Sequence, residues 1–240
     1  MFFFLFGCGS LTHIVIYDTQ NNSSRYFRIW VIYMSKFYPI HLDVTGKKCV
    51  IIGGGKVAYR KACGLKESGA DVVVVSPEVC SEMVNEEGIA FIKKEYEECF
   101  LDGALLVIAA TDNEAVNKKV TLDAEKRGII VNVVDHPEHC SFIVPSTINR
   151  GDLCISVSTG GASPAVAKRI REELEGAFGK EYEEYLDLLT KMRSLAMSSI
   201  EDSVKRRKVL QRLAEKDIFD AVKDEGIKNA EAKMREIISG

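Results

Sequence analysis

No Cys-x-x-Cys pair, no long apolar run and no excess of positive charge occur in this 240-residue chain, and each absence removes a class of function. The seven cysteines, at 8, 49, 63, 80, 99, 140 and 154, are odd in number and scattered. They are therefore read as reduced, mostly buried thiols of a cytoplasmic protein rather than as a disulfide framework. The longest apolar run near the start, residues 1–6, is far below the roughly 18 residues a membrane span needs, and no charged segment precedes it. Neither a membrane anchor nor a secretion signal is expected. With 32 Lys+Arg against 35 Asp+Glu the net charge is −3, so no global field holds nucleic acid or an anionic membrane. Only 5 prolines and 18 glycines leave little room for long linkers. What is present, 46% apolar and 28% charged residues, is ordinary globular usage, and the length suits one large or two modest α/β domains.

Residues 1–36 read as an extension of different character, with Phe2-Phe3-Phe4 and the polar patch Gln20-Asn21-Asn22-Ser23-Ser24. Because Met34-Ser35-Lys36 opens directly into a clean domain pattern, translation is expected to begin at Met34. From residue 47 the pattern is β-α repeated. Strands are expected at 48–52, 72–75, 90–92, 105–110 and 129–134, and helices at 57–68, ended by Gly69, and 112–127. Strands alternating with helices require right-handed crossovers and a doubly wound parallel sheet covered on both faces, an α/β fold of Rossmann-like type. After Pro137 the pattern changes. Residues 141–144, 146–148 and 153–157 read as short strands of an antiparallel element, with a turn at Asn149-Arg150-Gly151-Asp152. From the N-cap pair Ser163-Pro164 onward the chain reads as helix to Gly240. There Tyr185, Leu188, Leu189, Met192, Leu195 and Ala196 form an apolar stripe that needs a partner surface. The expected division is thus 1–36, a dinucleotide-binding domain at 37–145, a strand element at 146–162 and a helical domain at 163–240.

Directly after the first strand of the repeat, Gly53-Gly54-Gly55-Lys56-Val57-Ala58 fits G-x-G-x-x-A. Such a turn lets backbone approach a pyrophosphate, and the helix behind it points its positive N-terminus there. The strand before, the helix after and a second strand about 20 residues on supply the context that a lone glycine motif lacks. Gly53, Gly55, Lys56 and Val57 are expected to contact a dinucleotide. Ser76, Pro77 and Glu78, at the end of the second strand, are expected to face its ribose. No carboxylate aligned with the ribose and no Arg for a 2′-phosphate stand at that end; NAD is favoured over NADP. Thr111 and Asp112, at the end of the strand at 105–110, either line the same crevice or cap the following helix.

Asp135, in Asn132-Val133-Val134-Asp135-His136-Pro137, is delivered to the end of another parallel strand next to that crevice. It is the residue chosen for proton chemistry, against a plain turn aspartate before Pro137. His136, Glu138, His139 and Cys140 carry metal-ligating groups, yet no second ligand cluster exists, and no stable metal site is expected. Ser158-Thr159-Gly160-Gly161-Ala162-Ser163-Pro164 is a second strand-to-helix glycine turn able to receive a carboxylate or phosphate. Lys168, Arg169 and Arg171 follow on its helix, with a solvated basic face as the bland alternative.

Together the glycine turn with Tyr59-Arg60-Lys61, Ala109-Ala110-Thr111-Asp112, Asn132-Val133-Val134-Asp135, Phe142-Ile143-Val144-Pro145-Ser146 and the second glycine turn closely resemble the precorrin-2 dehydrogenase family, the N-terminal region of siroheme synthases, over residues 37–195. The resemblance implies NAD-dependent oxidation of precorrin-2 to sirohydrochlorin on a homodimer that exchanges its antiparallel segment and helical tail. It marks Asp135 as the essential aspartate and proton acceptor. The substrate's acetate and propionate groups would meet Arg150, Lys168 and Arg169, with Thr159 and Gly160 at the second turn. Thr159 stands where the family has a serine. Some relatives also insert Fe2+ into sirohydrochlorin with the same pocket and aspartate, and some carry a methyltransferase domain, for which no room is expected before Gly240. A reading of another class is a non-catalytic NAD-sensing module; the acid beside the crevice favours the enzyme.

Overall fold

The computed structural model describes residues 37–240 throughout, and before them the backbone of three strands. These are β1 (Phe3–Gly7), β2 (Thr12–Asp18) and β3 (Ser23–Arg28), an antiparallel sheet in the order β1-β2-β3 within a unit spanning Met1–Leu42. Sequence patterning assigned no element there. Met34 and Cys8 lie outside the described residues.

In the second unit, Asp43–Gly240, the repeat forms a parallel sheet of β4 (Lys48–Ile52), β5 (Asp71–Val75), β6 (Ile89–Ile92), β7 (Leu106–Ala109) and β8 (Ile130–Val133), in the order β6-β5-β4-β7-β8. The central strands are continuous apolar runs because both of their faces are covered. Along β4, Cys49 and Ile51 join the layer beneath α1 (Lys56–Glu67), with Ala58, Ala62 and Val74. Val50 and Ile52 join the opposite layer beneath α3 (Glu114–Arg127), with Val107, Val120 and Ala124. Helix α1 ends at Ser68, and Gly69, at φ +81°, takes the left-handed position that stops it. A short α2 (Ser81–Val84) precedes β6. The order of the strands reverses at β4, so the switch-point crevice, where open sheets hold ligands, opens between the carboxyl ends of β4 and β7.

The expected strand at 141–144 does not form. Ser141 instead serves the outer edge of β8 with its side chain: its Oγ accepts from Val131 N at 2.7 Å, and its own N–H donates to Val131 O at 2.8 Å. The antiparallel element is a two-stranded hairpin of β9 (Ser146–Arg150) and β10 (Leu153–Val157). Arg150 pairs with Leu153, so the turn narrows to Gly151-Asp152, with Gly151 at φ +56°.

The remainder is five helices rather than one run: α4 (Pro164–Ala177), α5 (Glu181–Ser199), α6 (Ser203–Leu213), α7 (Lys216–Glu225) and α8 (Ile227–Ser239). The apolar stripe of α5 finds its partner within the chain, where Tyr185, Leu188, Met192 and Ala196 pack with Leu213, Ile218, Ala230 and Met234. Among the described residues no helix is long and apolar enough to cross a membrane.

Candidate functional site

At the end of β4 the chain turns where side chains cannot go. Gly53 has φ +122°, and a Cβ there would overlap the carbonyl oxygen of Ala110 on β7's extension. A Cβ at Gly54 would overlap the carbonyl oxygen of Glu78. Three backbone hydrogen bonds stitch the corner to both neighbours: Gly53 N to Val75 O at 3.0 Å, Cys80 N to Gly54 O at 2.7 Å and Ala110 N to Ile52 O at 2.8 Å. Gly55 differs, since a Cβ added to it would meet nothing within 4 Å. It is also the N-cap of α1 and offers no side-chain cap, and no acidic residue stands in the first turn. The orphan N–H groups of α1 are thus open to an anion, and the backbone at Gly55 faces empty space where one can approach.

That space is a cleft of about 680 Å³. It brings together every residue expected to contact the dinucleotide: Gly53, Gly55, Lys56, Val57, Ser76, Pro77, Glu78, Thr111 and Asp112. The donor set fits a dinucleotide: uncapped helix N–H groups for the diphosphate, and polar groups at the end of β5 for the ribose. The Ser76 hydroxyl donates to Glu78 O at 2.6 Å and so shapes the strand end, while the Glu78 side chain stays exposed.

Gly54 of the glycine turn also lines the cleft, as do Lys94, Glu95 and Tyr96, to which the sequence pattern gave no role. Lys94 and Glu95 follow β6 as Ser76 follows β5; the rule that ligands sit at strand ends could have found them. Tyr96 is buried, and its hydroxyl donates to the buried Asp123 at 3.2 Å. Burial, then the Asp123 charge, pushes the Tyr96 phenol well above its ordinary range.

At the end of β7 the cap of α3 is Asn113, not Thr111 or Asp112. Asn113 Oδ1 accepts from Ala115 N at 3.0 Å and Val116 N at 3.3 Å. The Thr111 hydroxyl accepts from the Asn113 N–H at 3.2 Å and donates to Asn117 Oδ1 at 2.7 Å, while Asn117 Nδ2 returns a bond to Thr111 O at 2.9 Å.

Asp135 lies one strand further, beyond β8, and is not part of the cleft wall. Val134 N still donates to Ala109 O at 2.9 Å, so Asp135 leaves the sheet beside the end of β7. It occupies the third position of a turn closed by His136 N to Val133 O at 3.3 Å. Its φ is +64°, the sole positive value at a non-glycine among the described residues. Turns with positive φ at this position favour Gly or Asn, so an aspartate there carries a cost of about 1 kcal/mol or more.

The neighbouring metal-ligating groups diverge. His136 Nδ1 lies 3.2 Å from Glu138 Oε1, whereas the Cys140 thiol turns inward onto the backbone of Val133 and His136. The Glu138 carboxyl is held low by its own backbone N–H, then by His136.

The other expected substrate contacts are dispersed. Arg150 Nε donates to Phe178 O at 3.0 Å, closing the end of α4. Lys168 and Arg169 are exposed and face Glu172 and Glu173 at 3.8 and 3.6 Å. In the second glycine turn Gly160 and Gly161 have φ +62° and +89°. The Thr159 hydroxyl donates to Ser163 O and accepts from Ser163 N, both at 3.1 Å, and Ser163 Oγ caps α4 by accepting from Val166 N at 3.3 Å. None of these residues lines the cleft.

Residues 40–146 match the family described as "Putative NAD(P)-binding", and residues 150–177 match the sirohaem biosynthesis protein central family. A siroheme synthase of Saccharophagus degradans is 38% identical over 189 residues, 78% of this chain and 41% of the relative. One of Photorhabdus laumondii is 44% identical over 142 residues, 58% of this chain and 30% of the relative. The chain thus spans less than half the length of these relatives. Among solved structures, "SirC, precorrin-2 dehydrogenase" superposes with a TM-score of 0.71 at 26% identity, covering 83% of this chain and all of that one.

Proposed function

We propose that the chain is a member of the siroheme-synthase family over its NAD(P)-binding and central regions, and that it oxidises precorrin-2 to sirohydrochlorin with NAD as the hydride acceptor. The observation that carries this reading is the open flank of Gly55 beneath an uncapped α1 N-terminus, at the switch point of the sheet. Bound NAD supplies a two-electron acceptor for hydride. The residues of the chain then have three tasks. Gly53, Gly55, Lys56 and Val57 hold the diphosphate against α1, while Ser76, Pro77 and Glu78 face the ribose and Thr111 and Asp112 close the far rim. The Asp135 carboxylate takes the proton that leaves the tetrapyrrole as hydride departs from carbon, so precorrin-2 and NAD+ give sirohydrochlorin, NADH and a proton. Retaining an acid at φ +64°, where glycine is easier, supports a chemical role over a plain turn.

Arg150, Lys168, Arg169 and the turn at Thr159 and Gly160 take the carboxylates of the tetrapyrrole. Since they stand away from the cleft of their own chain, the reading places them against the cleft of a second copy, in a homodimer built through β9, β10 and the helical segment. Free thiols at Cys49, Cys63, Cys80, Cys99, Cys140 and Cys154 support a reducing, cytoplasmic setting.

Anaerobic incubation with precorrin-2 and NAD, followed by sirohydrochlorin absorbance, tests the proposal. The parent chain is expected to form product, and Asp135→Asn to lower the rate by about 10²–10⁴-fold with an unchanged fold. No product from the parent chain overturns the activity, and parent-like turnover in Asp135→Asn overturns the role of the acid. NADP in place of NAD reads the nucleotide preference. Ferrous iron added to preformed sirohydrochlorin reads iron insertion, and a rate no faster than the spontaneous one confines the chain to oxidation.

A further inference from the structure

Strand β8 is an edge of the parallel sheet, so the N–H and C=O groups of alternate residues on its outer side find no neighbouring strand. Two side chains supply the missing partners. Ser141 Oγ serves Val131, accepting from its N at 2.7 Å and donating to its O at 3.1 Å. Two residues further along the same edge Cys140 serves Val133, its Sγ accepting from Val133 N at 3.1 Å and from Asn132 Nδ2 at 3.5 Å. The thiol proton has two carbonyls in reach, Val133 O and His136 O, each at 3.3 Å. Those carbonyls belong to the first and last residues of the turn that presents Asp135. The turn's own backbone bond, 3.3 Å from His136 N to Val133 O, is long, and Asp135 sits at an unfavourable φ of +64°. A strained conformation persists only where its surroundings fix it. Here the sulfur is bonded to both ends of the turn.

We propose that Cys140 is a positioning residue for Asp135, its thiol clasping the 133–136 turn in the backbone geometry that presents the carboxylate. The inference rests on the reading of Asp135 as the proton acceptor. The nucleotide cleft lies outside this clasp, since Cys140 does not line it. Burial raises the thiol above its ordinary value, which keeps its proton available as a donor at neutral pH. The Glu138 and Lys61 charges facing the sulfur act in opposite directions on it.

The test compares Cys140→Ala, Cys140→Ser and Ser141→Ala in the full chain. For Cys140→Ala, kcat is expected to fall about fivefold to tenfold, the scale of one or two modest hydrogen bonds, with the KM for NAD within about twofold of the parent. Cys140→Ser, which keeps a donor and acceptor on a shorter arm, is expected to recover part of the loss. Ser141→Ala, which touches the same edge away from the turn, is expected to keep kcat within about twofold. Amide hydrogen exchange over residues 131–142 is the second readout. The amides of Val133 and His136 are expected to exchange about fivefold faster in Cys140→Ala.

Unchanged kcat with unchanged exchange overturns the proposal, as does a loss in Ser141→Ala equal to that in Cys140→Ala. If Cys140→Ala does not fold, the exchange of Cys140→Ser carries the comparison, and parent-like protection of both amides with parent-like kcat in that variant also overturns it. Should Asp135→Asn keep parent turnover, the reading of the acid fails by itself. The exchange measurement still decides whether the thiol holds the turn.

Discussion

At the end of β4 the chain turns by leaving side chains out, and at the end of β8 it turns with a side chain that the geometry disfavours. In the first corner Gly53 and Gly54 are pressed against the carbonyls of Ala110 and Glu78, while Gly55 faces open space. In the second, Asp135 holds φ +64° and is tied down by the Cys140 sulfur. A binding corner needs backbone N–H groups near a ligand, which only the absence of Cβ permits. A corner proposed for chemistry needs a particular functional group, and the strain of Asp135 there is offset by neighbouring hydrogen bonds. The same sheet supports both because its strand ends are fixed by two packed layers beneath them.

Breaking the first corner is expected to have the largest effect, and to separate its glycines. Gly54→Ala forces the Glu78 strand end away from the turn and is expected to cost about 3 kcal/mol, the upper range for overpacking, read as a lowered thermal midpoint together with lost NAD binding. Gly55→Ala meets no atom and keeps an allowed extended backbone, φ −78° and ψ 177°. Its midpoint is expected within about 2 °C of the parent, while NAD affinity, followed by fluorescence titration, falls about 100-fold as the new methyl obstructs the diphosphate. Equal thermal midpoints in the two variants would remove the distinction between a packed and an open glycine.

A smaller effect compares the two helices that meet the cleft. Helix α3 carries its own cap in Asn113, whereas α1 leaves its N–H groups open. Asn113→Ala is expected to destabilise the chain by about 1 kcal/mol. Calorimetry would register a midpoint lowered by about 2–4 °C and recovered by NAD to the same degree as in the parent. A loss of NAD affinity comparable to that of Gly55→Ala would show that the α3 terminus holds the ligand instead.

The smallest effect is in alkali. Burial, then the nearby Asp71 charge, raises the Cys49 thiol under β4 from 9.0 to about 11, and burial raises Cys140 as well. The unfolded chain therefore releases these protons at lower pH than the folded one. Their contribution is complete below pH 9 and is lost as pH rises toward about 11. Thermal midpoints measured across that window are expected to fall less steeply in Cys49→Ala than in the parent. Parallel curves would mean that the thiol under the first corner is not held protonated by the fold.

The periodicities that made the sheet legible are short-range. Val72-Val73-Val74-Val75 is too short for a helix, and the glycine run after β4 has one stereochemical use between a strand and a helix. That pattern also pointed to the residues around the cleft. Residues 141–144 were misread because β-branched and aromatic content resembles a strand, while the edge of β8 is served by the side chains of Cys140 and Ser141. The break of the C-terminal region into five helices was missed as well. Its amphipathic stripe shows that a partner surface exists, but not that α7 and α8 of the same chain provide it.

By itself the sequence determined the alternation of strands and helices, the glycine corner and the acid at the end of the fifth parallel strand, because each is written in neighbouring residues through sterics and periodicity. Tertiary structure alone decided that Gly54 abuts Glu78, that Asn113 rather than Thr111 caps α3, and that a cysteine five residues beyond Asp135 clasps its turn. Those outcomes depend on which atoms meet across the sheet, and no local pattern encodes a distance between segments that only folding brings together.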